Sequence, residues 1–319
     1  MKPVPLVVVA LVPASFALAI AFGSVDLGPA QLAHALVGRG DLIAREIVWG
    51  VRVPRALAGL ACGGLLALAG ALLQVLLRNP LADPFILGVS GGAAAGALAA
   101  MLLGLAAAML PLAALAGASL SVAAVLAFSL SRSGWNLYRV LLAGVAFASG
   151  FGALVGLMLA LAPASQVQGL LFWLLGDLAP AGNPAGALVA LAVCAGLALS
   201  QSAALDVLIL GEDKARTLGV AVTTVQSLAF ACSTVATVAA VLLGGAIGFI
   251  GLVVPHLLRL AGVHRHAALL PLAVCLGGSL LALADTFART VAAPTELPVG
   301  AITALLGVPV LLLLLARLR

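Results

Sequence analysis

Charge is what this chain has least of. Aspartate, glutamate, lysine and arginine make up 8% of its 319 residues, against roughly 25% in an ordinary soluble domain. Aromatic residues are also scarce, at 4%, with a single tyrosine. Lysine occurs only as Lys2, before Pro3, and Lys214, before Ala215. A Walker A loop needs Gly-Lys-Ser/Thr to hold phosphates, so this chain carries no conventional ATP site. HExxH and EF-hand spacing are missing, and no GxSxG stands with triad partners. No catalytic residue is expected, and the chain does not read as an enzyme. Ionisable groups are missing from the middles of the apolar runs. That counts against the alternative of an ion-coupled secondary transporter of a small polar solute, whose relay needs Asp, Glu or His at mid-membrane depth. A membrane-embedded enzyme or scaffold would need a polar cluster, and none stands in these runs.

What the chain does have is apolar length. Hydrophobic residues make up 64%, and the mean hydropathy is +1.30. No single soluble core could bury that much surface, so the solvent must be membrane lipid. The 36 glycines suit close helix contacts, the mode of packing available where water supplies no hydrophobic push. Barrel strands would alternate polar and apolar residues, and these runs do not. The fold class is therefore all-α, a polytopic bundle, read as a single transmembrane domain over residues 1–319. The net charge of +5 does not signal nucleic acid, because the basic residues sit singly at the ends of apolar runs. Cys62, Cys194, Cys232 and Cys275 each lie inside such a run, without CxxC or a nearby histidine at metal spacing. They read as core packing; no metal or cofactor is expected.

The chain is organised around Arg52 to Gly92. A stretch without charge runs from Ala56 to Leu77, long enough to cross a bilayer. It breaks at Arg78-Asn-Pro-Leu-Ala-Asp-Pro84, and a second run opens with Gly88-Val-Ser-Gly-Gly92. Two spans joined by a proline-bounded hairpin are expected here. Extending the reading gives ten spans, at 5–23, 53–77, 84–103, 106–130, 139–161, 184–203, 222–243, 248–261, 267–289 and 299–316. The first reads as a retained span, since no small-x-small cleavage site precedes Asp26. The eighth is short and needs protein around its ends. An even count places both termini on one side. With them in the cytoplasm, ten basic residues lie inside and five outside, in line with the positive-inside bias. The outer minority includes Arg52, Arg55 and Arg289 at span ends, which implies that something besides topology holds them there.

Four connecting stretches stand out. Residues 24–51 contain an amphipathic segment starting at Pro29, read as a surface helix with an exposed His34. Residues 204–220 pack Glu212, Asp213, Lys214 and Arg216 between apolar anchors, either a pair of short helices a partner protein could grip or a solvated loop. Residues 244–266 place Pro255 and His256 in a short helix, where the proline frees a carbonyl; His256 reads as packed, and His264 and His266 as part of a basic turn. Residues 285–300 pair Asp285 with Arg289 at i, i+4 and set Glu296 near Pro294 and Pro298, as a rigid turn or a partner for an outer arginine.

These motifs carry a resemblance. R-V-P-R, L-x-Q, R-N-P-L-A-D-P and G-V-S-G-G-A between Arg52 and Ala93 resemble FecCD-type permeases, the membrane subunits of ABC importers for ferric siderophores, haem and cobalamin. The likeness continues through R-V-L-L-A-G-V-A (139–146), W-L-L-G (173–176), L-G-E-D-K-A-R-T-L-G-V (210–220), G-A-I-G-F-I-G-L-V-V-P-H-L-L-R (245–259), A-D-T-F-A-R (284–289) and E-L-P-V-G (296–300). It implies the type II importer fold, with ten spans per subunit, in the bacterial inner membrane. It also implies a homodimer paired with two ATP-binding cassette subunits and a periplasmic substrate-binding protein. By position, Leu208, Leu210, Gly211, Glu212, Arg216, Leu218 and Gly219 resemble the loop that couples to the ATPase. Arg52, Arg55 and Arg289 resemble arginines that dock the binding protein. Gly144, Ser149, Gly150, Gly152 and Gly156 fall on the span that lines the pathway, and Asn136 and Leu137 match its cytoplasmic gate.

Overall fold

The computed structural model describes residues 4–131, 134–135, 137–179 and 181–316. The chain opens with α1 (Val4–Ala21), followed by the short helices α2 (Pro29–Leu36) and α3 (Leu42–Glu46). Pro29 begins α2, where its missing N–H costs nothing, and His34 is exposed, as expected. A π-helical turn, Ile47–Arg52, leads into α4 (Val53–Leu76). The helix α4 is almost wholly buried and forms the axis of the bundle.

The expected hairpin follows. Arg78 adopts a positive φ of 47°, Asn79 Oδ1 accepts from Leu81 N, and Asp83 Oδ1 accepts from Phe85 N at 2.8 Å. A 3-10 turn, Pro84–Leu87, then precedes α5 (Val89–Leu102). Gly88, at φ 71°, joins the two in a left-handed conformation that a residue with a Cβ rarely adopts.

Next come α6 (Leu110–Ser129), a two-residue antiparallel pairing of β1 (Leu130–Ser131) with β2 (Gly134–Trp135), α7 (Leu137–Leu161) and α8 (Ala164–Leu175). Helices α9 (Ala185–Ser200) and α10 (Ser202–Leu208) meet at a bend of 63°. The chain continues through α11 (Glu212–Thr217), α12 (Val222–Gly244), α13 (Ile250–Leu260), α14 (His266–Thr290) and α15 (Val299–Ala316).

Each expected span meets a helix, but not every helix has spanning length. Among the described residues six segments are long and apolar enough to cross a bilayer, or seven if the bent α9–α10 pair counts as one. Val89–Leu102, Ile250–Leu260 and Val299–Leu312 are shorter. The 3-10 turn uses up the start of the expected 84–103 span, and α13 starts only after Phe249, itself at φ 70°. Helix α8 was not among the expected spans.

Small residues set the packing around α4. Gly63 lies against Gly277 of α14, Gly59 against Ala282, and Gly278 against the Leu60 backbone, so that an added Cβ would press on main chain. The same contact joins α5 to α6 through Gly92–Gly117 and Gly96–Ala113. Lower down, Pro255 removes the N–H that would bond the Gly251 carbonyl, and Gly70 packs directly onto that oxygen. Gln74 completes the joint: its Nε2 donates to Leu252 O at 3.1 Å, and its Oε1 accepts from Arg259 Nη1.

Candidate functional site

The two ends of α4 carry two different polar assemblies, with an open helix face beside them. At the first end, Arg55 donates from Nε to Asp285 Oδ1 and Oδ2 at 3.1 and 3.0 Å. It also donates from Nη2 to Asp285 Oδ1 at 2.9 Å and from Nη1 to Glu296 Oε2 at 2.7 Å. The planar guanidinium fork matches a carboxylate in this bidentate way. Arg289 stands 3.8 Å from Asp285. The expected i, i+4 pair is therefore present, and of the two readings of Glu296 an arginine partnership is present.

Arg52 and Arg289 turn to α1. Arg52 donates to Ile20 O at 2.7 Å, Ala21 O at 3.0 Å and Val25 O at 2.5 Å, and Arg289 donates to Ala19 O. The last carbonyls of a helix have no intrahelical partner and carry partial negative charge, so two cations clamp three successive carbonyls. Gly23 leaves room for this, because a Cβ there would come within 3.0 Å of the Arg52 guanidinium. Arg52, Arg55 and Arg289 are 2%, 5% and 2% exposed. The resemblance implies docking arginines on the outer face; the three side chains face inward, where Asp285, Glu296 and carbonyls of α1 hold them. Asp177, in the loop after α8, lies nearby; burial pushes its carboxyl up from its ordinary range, and the charges of Asp285 and Glu296 add to this. It also lines a cavity of about 730 Å³ with Ser165, Gln168, Phe172 and Trp173, which sequence reasoning missed.

At the second end, α10 and α11 form a pair of short helices, one of the two readings left open for residues 204–220. Leu210 and Leu218 are 58% and 63% exposed, beside a half-exposed Ile209, whereas Leu208 is buried in the core. Leu208 therefore anchors the pair instead of presenting itself. Glu212 is the tie: it lies 3.6 Å from Arg78 and 3.5 Å from Arg216, and accepts from Gln226 Nε2 at 3.0 Å. Gly211 and Gly219, at φ 109° and 81°, make the turns on either side of α11. Arg78, Leu210, Gly211 and Glu212 line a shallow cavity of about 440 Å³. His266 directly follows the turn at 261–265, where it is fully buried and bonded to Asp206.

The helix α7 provides the third feature. Ser149, Gly150, Gly152 and Gly156 are exposed, and nothing lies within 4 Å of a Cβ built on any of the three glycines. The Ser149 hydroxyl donates to Val145 O. Gly144 is buried, so it does not belong to this face. A cavity of about 460 Å³ lies between Val145, Ala148 and Ser149 and the hairpin residues Asp83, Phe85 and Ile86. Leu137 begins α7, while Asn136 lies outside the described residues.

Residues 10–317 match the FecCD transport family. The chain belongs to that family. This FecCD permease is 40% identical over 286 residues to a vitamin B12 import system permease protein BtuC of Salmonella paratyphi A (strain ATCC 9150 / SARB42), covering 88% of this chain and 86% of the relative. It is 38% identical over 289 residues to an ABC transporter permease protein of Bacillus subtilis (strain 168), YvrB, covering 88% and 82%. It is 40% identical over 275 residues to a cobalamin import system permease protein BtuC of Halobacterium salinarum, covering 85% and 74%. Among solved structures, it is similar to an inward-facing conformation of a transporter assigned to the metal-chelate ABC type, with a TM-score of 0.86 and 29% identity, covering 99% of this chain and all of that one. A likeness in fold alone extends to PsaBC of Streptococcus pneumoniae, at a TM-score of 0.57 and 17% identity.

Proposed function

We propose that this FecCD permease is the membrane subunit of a binding-protein-dependent ABC importer that carries cobalamin or a related metal chelate into the cell. The observation that carries the reading is the likeness along nearly the whole chain to permeases named for vitamin B12 import. In this reading the chain is one permease domain that crosses the bacterial inner membrane ten times, with both termini in the cytoplasm. The shorter helices α5, α13 and α15 complete the count, α5 and α13 with most of their residues buried among other helices.

Each feature of the structure then has a task. Two copies meet along the open small-residue face of α7, and the substrate passes between them. Ser149, Gly150, Gly152 and Gly156 give that path a wall that is small and weakly polar, suited to a bulky chelate that must not bind tightly. Asn136 and Leu137 stand at its cytoplasmic gate. An ATPase subunit grips Leu210 and Leu218 on the α10–α11 pair, held in place by Glu212 and Arg78. The substrate-binding protein rests on the face that Arg52, Arg55 and Arg289 brace from beneath. ATP hydrolysis stays with the partner subunit.

The test is assembly. Replacing Leu210 and Leu218 with aspartate puts two charges where an apolar grip is proposed. The detergent-purified complex should lose its ATPase subunits while the permease itself stays folded, since both side chains are exposed. A complex that remains intact and keeps substrate-stimulated ATP hydrolysis would overturn the assignment of this face.

A further inference from the structure

The helix α14 begins at His266, and no side chain of its own leading residues caps it. Its first N–H groups would be left without partners. Asp206 supplies what is missing from α10, sixty positions earlier. Its Oδ1 accepts from the His266 backbone N at 2.9 Å and lies 2.5 Å from His266 Nδ1. The imidazole is fully buried, while the aspartate side chain is about one-third exposed. A carboxylate at a helix N-terminus is also favoured by the helix dipole. The bond therefore fastens one of the two short helices of the Leu210 face to the start of a transmembrane rod.

That rod has a definite far end. Over its 25 residues, at 1.5 Å each, α14 extends about 37 Å. From Gly277 to Ala282 it is held against α4 by the Gly63–Gly277 and Gly59–Ala282 contacts, and nearer His266 it carries Pro271, which removes one hydrogen bond of the helix. At its other end sit Asp285 and Arg289, bound to Arg55 and to the last turn of α1. Glu212 ties the same short-helix pair to Arg78 and to Gln226 of α12; Arg78 and Glu212 are partly open to solvent, while Gln226 is buried. Asp206 is the tie that reaches α14, at the buried His266.

We infer that Asp206 is a positioning residue for transport: it transmits movement of the α10–α11 pair to α14, and through α14 to the Arg55–Asp285 cluster at the opposite end. This rests on the reading of α10–α11 as the ATPase face. Asp206 touches neither substrate nor nucleotide, and its effect is on how hydrolysis is converted into passage.

The experiment uses the full importer reconstituted in proteoliposomes, with uptake and ATP hydrolysis measured in parallel. Asp206→Ala should leave assembly and hydrolysis within about two-fold of wild type and lower the substrate moved per ATP at least five-fold. Asp206→Asn keeps an acceptor oxygen for both donors, so it should restore most of that ratio. Hydrogen exchange in residues 266–270 should speed up in the alanine variant and return with asparagine. An alanine variant that moves wild-type amounts per ATP would overturn the inference. So would one whose uptake and hydrolysis fall together in proportion to the amount of assembled complex, since that is a folding defect alone. A wild-type complex that assembles with no ATPase would instead overturn the functional reading beneath it.

Discussion

Arg55 and Asp285, 230 positions apart in the chain, are joined by three hydrogen bonds of 2.9 to 3.1 Å in a site almost closed to solvent. The pair fastens the start of α4 to the end of α14. Removing one member breaks a buried pair at a cost of up to about 3–5 kcal/mol, tempered by Glu296, which still pairs with Arg55, and by Arg289, which still faces Asp285. Arg55→Ala and Asp285→Ala should each destabilise the folded chain by that amount in detergent unfolding titrations. The double replacement Arg55→Met with Asp285→Leu should cost less than the sum, because the Arg55–Asp285 pair is lost only once, although Glu296 and Arg289 each lose a partner. Single variants with losses below about 1 kcal/mol, the range of exposed pairs, would show the site to be wet.

The carbonyl clamp gives a second prediction. Arg52 and Arg289 hold the end of α1, so reversing both charges with glutamate should release α1 and lower the yield of folded permease. A variant that folds normally and loses only its hold on the substrate-binding protein would restore the outward-facing docking role and contradict the buried geometry. Size-exclusion profiles alongside a pull-down with the binding protein separate the two.

Glycines at two kinds of position should respond with opposite sign. A Cβ at Gly63 would meet the Gly277 main chain, whereas one at Gly152 would meet nothing within 4 Å. Gly63→Ala should therefore cost about 1–3 kcal/mol through overpacking. Gly152→Ala should be neutral or gain up to about 1 kcal/mol through helix propensity. Equal effects at the two sites would contradict the packing described for α4 and α14.

These contrasts show what was legible in the sequence. The hairpin at Arg78–Pro84, the short α13 and the Asp285–Arg289 spacing were readable because proline, charge and i, i+4 periodicity act locally. The inward turn of Arg52 was not, because its acceptors are backbone carbonyls of α1, and a carbonyl leaves no mark on residue type. His266 looked like one more member of a basic turn because its partner, Asp206, lies sixty positions away. Gln74 stood in the sequence only as part of the L-x-Q motif, because its bonds to Leu252 and Arg259 depend on how α13 is laid against α4. Span lengths were overestimated for α5 because hydropathy does not distinguish a 3-10 turn from an α-helix.

The open face of α7 can be probed without disturbing the chain. Ser149→Trp and Gly152→Trp add bulk where the side chains are exposed, so single permease chains should fold as before. Uptake by the importer should fall at least ten-fold while the ATPase subunits stay bound. Full uptake in both variants would place the pathway elsewhere.

The central claim is ATP-driven import. It is tested most directly by reconstituting the permease with its ATPase and binding protein in proteoliposomes and following labelled cobalamin and labelled ferric chelates. The account predicts accumulation of one of these that requires ATP, requires the binding protein, and continues when the proton gradient is collapsed. Uptake that survives without ATP and stops with the gradient would contradict it.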